Sequence, residues 1–296
     1  MDCNPFLKKL GFLSDDRVVI FHAVDVGMCQ ASVSAFQQLI EQGALTSGAT
    51  MVPCPWFPSV ASYCRQCPEV DLGVHLTFTS EWESYRWRPL STCDPESGLV
   101  DHEGYFFATT DEVQKNAVPY YVQTEVMSQI NRAVAGGIDI SHIDMHMGAM
   151  LHPTFLPSYL QAGRTQRIPM LAYRMSEEQL SKWNNPQLAA KIKQIIGELE
   201  EQGFPIIDHF YQTDLHKPDT RIEEIRQVLK SLPPGLTHFI IHPAHDTAEL
   251  RAITPDWAGR VADYKALVRD EFLECLKEFN IRTIGYRELR KVVRHQ

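Results

Sequence analysis

The chain has 296 residues, 44% of them hydrophobic and 22% charged, enough for a full apolar core and against a disordered chain. Its formal net charge of −9 makes it a poor partner for phosphate backbones, so nucleic acid is not expected as a ligand. No stretch approaches the roughly 20 apolar residues of a membrane span.

Residues 17–23 (RVVIFHA) read as the first strand. A helix is predicted over 29–42, a strand over 48–52, a helix over 56–66 and a strand over 71–76. The segment 80–117 interrupts the pattern. It is rich in Trp, Tyr, Pro, Asp and Glu with no clear period, and long irregular segments in compact domains are usually lids or binding loops. Helices are then predicted over 118–136, 154–163, 186–202, 220–231, 257–279 and 286–293. Strands are predicted over 138–144, 168–173, 205–210, 237–242 and 281–284. Tyr264, Leu267, Val268, Phe272, Leu273, Leu276 and Phe279 fall on one helical face, which predicts a single helix over 257–279. Alternating strands and helices imply a mostly parallel sheet. Seven or eight such units without a compositional break predict closure into one α/β domain, a (β/α) barrel spanning 1–296.

The N-terminus, "MDCNPFLKKLGFLSDD", has no apolar run of signal-peptide length, so a cytoplasmic protein is expected. Seven irregularly spaced cysteines, an odd number, read as reduced thiols rather than a disulfide framework. Cys64 and Cys67 form one C-x-x-C without the second pair that a zinc ribbon needs. The oligomeric state stays open, a homo-oligomer included.

Four predicted strands carry His or Asp at or just beyond their C-terminal ends. These are Asp25 in "HAVDVG", His75 in "LGVHLT", His142, Asp144 and His146 in "ISHIDMHMG", and His242 and His245 in "IIHPAHD". Parallel α/β folds build their sites at that edge. Asp25, His75 and His146 could supply three ligands to a catalytic metal. In an extended segment His142, Asp144 and His146 point the same way, so all three are expected to face the mouth, with Asp144 orienting a ligand histidine. Each residue also has an ordinary alternative. His75 and His242 could be satisfied core histidines, and Asp25 could cap the helix that follows. Nucleotide-binding and nucleophile-elbow motifs are absent; Cys29, near a helix start, is a weaker candidate nucleophile. In "SEWESYRWRPL", Trp82, Trp87 and Arg88 suit a sugar face, or the segment packs its rings onto the barrel.

These residues resemble the YdjC-like (ChbG-type) carbohydrate deacetylase family. "HAVDVGM" is similar to its Asn/His-Ala-Asp-Asp-Phe/Val-Gly pattern, "GVHLTFTSEW" to its G-x-H-L-T segment, "SHIDMH" to T-H-x-D-S-H, and "IIHPA" to a late His-Pro. The resemblance covers most of the chain. It implies a distorted, TIM-barrel-like fold and a divalent metal held by Asp25, His75 and His146; imidazole and carboxylate donors suit zinc before magnesium. The implied reaction removes N-acetyl groups from amino sugars such as chitooligosaccharides, with His242 as the acid near the leaving nitrogen. One departure bears on activity: the family's base aspartate is replaced by Val24. Asp144 or Glu81 could substitute for it, or the chain could bind metal or sugar without turnover. A second departure is Met147, Gly148 and Met150, where many members carry further histidines. A metal-dependent phosphoesterase is the remaining alternative; few Lys or Arg cluster around the motifs to hold phosphate.

Overall fold

The computed structural model describes residues 4–176, 179–180 and 186–295. Seven strands form one parallel sheet: β1 (Arg17–Val26), β2 (Ser47–Thr50), β3 (Leu72–Leu76), β4 (Ile143–Met145), β5 (His209–Gln212), β6 (Gly235–Ile241) and β7 (Ile281–Thr283). The order is β4-β3-β2-β1-β6-β5, with β7 paired to β1. The run "VVIF" of β1 is wholly buried, as expected of a strand covered on both faces.

The ring closes through the segment predicted as a strand over 168–173. It makes only isolated parallel bridges, Ile143 with Met170 and Tyr173 with Ile207. Its backbone is nonetheless bonded on both sides: Leu171 N–H donates to Ile143 O at 2.9 Å, and Ile207 N–H to Ala172 O at 2.8 Å. This irregular stave distorts the (β/α) barrel. The last strand does not close it. β6 borders β1 along 17–23, so β7 (at 17–19) and β2 (from His22 on) share the other edge of β1 in succession.

Other expectations shift for local reasons. The strand predicted over 138–144 shrinks to three residues, because the chain turns into a 3-10 helix at His146–Leu151. The strand predicted over 205–210 pairs regularly only at His209–Gln212. The helix over 257–279 is two helices, Trp257–Leu267 and Asp270–Glu278, broken around Val268; an apolar stripe that continues in phase concealed the break. The irregular segment contains a helix, Thr110–Asn116, whose Thr109–Glu112 capping box is legible as T-x-x-E. Cys29, Cys54, Cys64, Cys67, Cys93 and Cys275 are free thiols; Cys3 lies outside the described residues. No helix among the described residues is long and apolar enough to cross a membrane.

The barrel interior is polar at mid-height. His22, His142 and His238 are fully buried there, joined by Tyr286, whose ring stacks on His142 at 3.8 Å. Burial drives the pKa of His142 and of His238 well below the usual imidazole value, with the charge of His22 adding to it. Both are therefore neutral in the folded chain. The unfolded chain takes up protons on them below about pH 6.5 and the folded chain does not, so stability must fall as pH falls through that range. Each such imidazole contributes up to ~1.4 kcal/mol per pH unit. Urea unfolding of the metal-free protein should accordingly show a lower midpoint at pH 5 than at pH 6.5; an unchanged or higher midpoint would contradict neutral burial.

Candidate metal centre

The centre is built where β1 stops being a regular strand. Asp25 has φ of +57°, a left-handed conformation uncommon for a residue with a side chain. The register of β1 against β2 shifts between Ala23 and Val26. Successive strand residues normally face opposite sides; here Val24 and Asp25 both line one cavity. Gly27 follows at φ +92°, where an added Cβ would lie 3.1 Å from Thr50 Oγ1 and 3.2 Å from Val60.

Asp25, His75 and His146 converge as the sequence predicts, each at most 4% exposed. Asp25 Oδ1 lies 3.4 Å from His75 Nε2 and 3.2 Å from His146 Nδ1, and the two ring nitrogens are 3.3 Å apart. Ligands set tetrahedrally around zinc at about 2.0–2.1 Å stand roughly 3.3–3.4 Å from one another. An octahedral magnesium site at about 2.1 Å would set neighbouring ligands roughly 3.0 Å apart. Each imidazole is also oriented from behind by a carboxylate. His75 Nδ1–H donates to Asp144 Oδ1 at 2.8 Å and His146 Nε2–H to Glu81 Oε1 at 3.0 Å, so that in the neutral rings a cation requires, His75 Nε2 and His146 Nδ1 are the lone-pair nitrogens facing inward. Asp25 Oδ1 is buried without a hydrogen-bond partner among the described residues. The residues present therefore fit a divalent cation.

Arg260 answers the charge on Asp25, and the sequence reading missed it. Its Nη1–H donates to Asp25 Oδ2 at 2.7 Å, and its other nitrogens donate to Asp256 at 2.7 and 3.1 Å. The available signal was the i,i+4 spacing of Asp256 and Arg260 at the start of a predicted helix. Burial opposes ionisation of Asp25, but Arg260 foremost, then His146 and His75, hold its carboxyl well below the usual range. Burial likewise works against His146, yet Glu81 and Asp25 raise it to about 10 in the metal-free chain. For Asp144, burial is outweighed by His75 and His22, which keep it ionised.

The other predicted residues are distributed differently. Asp144 sits beneath His75 with both oxygens engaged, by His75 and by His22 at 3.0 Å. His142 does not face the mouth: its ring lies in the barrel floor. His242 lines the cavity with Nδ1 unpartnered among the described residues, and burial lowers it to about 3 despite nearby Asp25. At neutral pH it is an uncharged imidazole rather than a loaded proton donor. Its backbone N–H donates to buried Asp263 at 2.8 Å, whose carboxyl burial raises to about 6. His245 lies apart from the centre, its Nδ1 3.0 Å from Ser34 Oγ.

Trp82 lines the cavity, whereas Trp87 and Arg88 are not among its lining residues. Trp87 is buried, its indole N–H donating to Thr79 O at 2.8 Å, and Arg88 is exposed over the Tyr105 ring. Much of the aromatic segment thus packs onto the barrel, leaving Trp82 facing the centre. The cavity measures about 360 Å³, and Arg260 is the only Lys or Arg among the described residues that line it.

The YdjC-like protein family matches residues 18–278. A carbohydrate deacetylase of Thermus thermophilus is 34% identical over 93% of this chain and 94% of its own. One of Thermoanaerobacter pseudethanolicus is 23% identical over 91% and 98%. Among solved structures, an Enterococcus faecalis protein named as a proposed cellobiose-phosphate cleavage protein superposes with a TM-score of 0.74. It is 20% identical and covers 93% of this chain and 99% of its own, a likeness of fold.

Replacing Arg260 with Met removes the foremost of the groups that answer the buried charge of Asp25, and removing one partner of a buried pair costs about 3–5 kcal/mol. Chemical denaturation of metal-free Arg260→Met should show a loss of that size, and a wild-type midpoint would mean that the pair carries no such weight.

Proposed function

The chain belongs to the YdjC-like protein family, and from that premise we propose that it is a zinc-dependent hydrolase acting on the acetamide of a small N-acetylated amino sugar. The observation that carries the reading is the triangle of Asp25 Oδ1, His75 Nε2 and His146 Nδ1, with edges of 3.2–3.4 Å, close to tetrahedral spacing. Bound there, a divalent cation polarises an amide carbonyl and lowers the pKa of a coordinated water.

This chain's own residues do the rest. Asp144 and Glu81 keep the two imidazoles turned inward. Arg260 holds the second oxygen of Asp25 and so leaves Oδ1 for the cation. Trp82 offers a ring for one sugar face, and a cavity near the lower end of the usual ligand range suits a short substrate. Val24 occupies the position of the family's base and cannot accept a proton. Glu81 lines the same cavity but spends Oε1 on His146. His242 is the imidazole available for proton transfer, and it must acquire its proton during the reaction. The six described cysteines are free thiols, which suits a reducing, cytoplasmic compartment.

Val24 favours a second reading, in which the centre binds metal and sugar with turnover strongly reduced. The phosphoesterase alternative is disfavoured, because both carboxylates beside Arg260 already neutralise the one Lys or Arg among the described residues that lines the cavity. In metal analysis, zinc should be retained by the wild type and lost from His75→Ala and His146→Ala; retention by both variants would remove the centre as drawn. Acetate release from N-acetylated amino sugars should rise about 10²–10⁴-fold in Val24→Asp, the usual weight of a general base. Equal rates would mean that a base acts elsewhere in the cavity. Absence of acetate from both zinc-loaded proteins would remove the deacetylase reading.

A further inference from the structure

We propose that His22 is a positioning residue for the metal centre: acting through Asp144, it holds His75 so that Nε2 faces the cation. The inference rests on the metal-centred reading above and adds to it a residue remote from the cavity. The chain of contacts is continuous. His75 Nδ1–H donates to Asp144 Oδ1 at 2.8 Å, and His22 Nε2–H donates to Asp144 Oδ2 at 3.0 Å. His22 is fully buried and Asp144 1% exposed. One oxygen serves each ring, so rotating the carboxyl group breaks both bonds. The strands deliver this arrangement directly. His75 and Asp144 are register partners across β3 and β4, and His22 precedes Asp25 by three residues on β1.

His22 is held unlike an ordinary core histidine. Its Nδ1 has no hydrogen-bond partner among the described residues. Packing fixes the ring instead: His142 lies 4.9 Å away edge-on, His238 4.7 Å away and Tyr286 5.9 Å away edge-on, between ring centres. His142 in turn stacks on Tyr286 and occupies the space above Gly73, where an added Cβ would come within 2.4 Å of its ring. The clamp leaves Nε2 as the engaged atom of His22 and aims it at Asp144. Partners of this kind behind a metal-bound histidine typically weigh 10–100-fold in metal affinity.

Chelator competition on the folded, metal-free protein tests this with zinc as the probe. Leucine fills much of the ring's space without a donor, whereas glutamine places its amide nitrogen near the position of Nε2. His22→Leu should therefore weaken zinc about 10–100-fold, while His22→Gln stays close to the wild type. In an Asp144→Ala background, His22→Leu should add no further loss. His22→Ala, which also lacks the donor, should weaken zinc in the same direction and serves if His22→Leu does not fold. A purely structural role would lower the stability of the variants without separating Gln from Leu in affinity. Wild-type affinity in His22→Leu, or in folded His22→Ala, overturns the proposal, as does an equal effect of His22→Leu with and without Asp144. His22, His142 and Asp144 also bring ligand atoms within 4.8 Å of one another. A second zinc equivalent lost in His22→Leu would make His22 a ligand and likewise overturn the proposal. Should the wild type take up no zinc, the metal reading falls too; should it bind zinc that His75→Ala loses but His22→Leu keeps, only the role of His22 falls.

Discussion

An ionised carboxylate sealed from water has to be matched by nearby donors or cations, and two such groups organise this barrel. Asp25 and Asp144 are both almost wholly buried, one at the mouth and the other a layer beneath. Arg260 and two imidazoles answer Asp25; His75 and His22 answer Asp144. His75 touches both, so the two networks are one. Removing a member leaves a charge unpaired in a low-dielectric interior, which ties the geometry of the mouth to that of the floor.

The left-handed turn at Asp25 has a second consequence. By placing successive side chains in the same cavity, it makes position 24 part of the site. Val24 thus meets the same cavity as Asp25, His75, His146 and His242. Valine supplies neither a proton acceptor nor a charge to that space.

Much of the site was legible because its chemistry is written in residue types at strand ends. Asp25, His75 and His146 are polar groups interrupting apolar runs, and four short patterns marked them. Arg260 was not legible, because its role depends on a contact spanning 235 positions and nothing in "PDWAGR" specifies the partner. His142 and His146 share a strand period, yet one enters the floor and the other the mouth, because β4 ends after three residues. Trp82 and Trp87 are five apart in one aromatic segment; only the path of the loop decided which ring meets the cavity. The strand predicted over 168–173 was located well, but whether it would join the ladder regularly depended on the barrel's curvature.

The sequence by itself determined the alternation of buried strands and amphipathic helices, the parallel sheet that follows, and the carboxylate and imidazole side chains that stand at the strand ends, because these depend on local periodicity and side-chain chemistry. Tertiary structure alone decided the closure through 169–174, the pairing of Arg260 with Asp25, and the burial that makes His242 neutral. It also decided the stacking of His22, His142, His238 and Tyr286 beneath the centre. Each of these depends on distances between residues far apart in the chain, and on the exclusion of water that follows only once the barrel has closed around them.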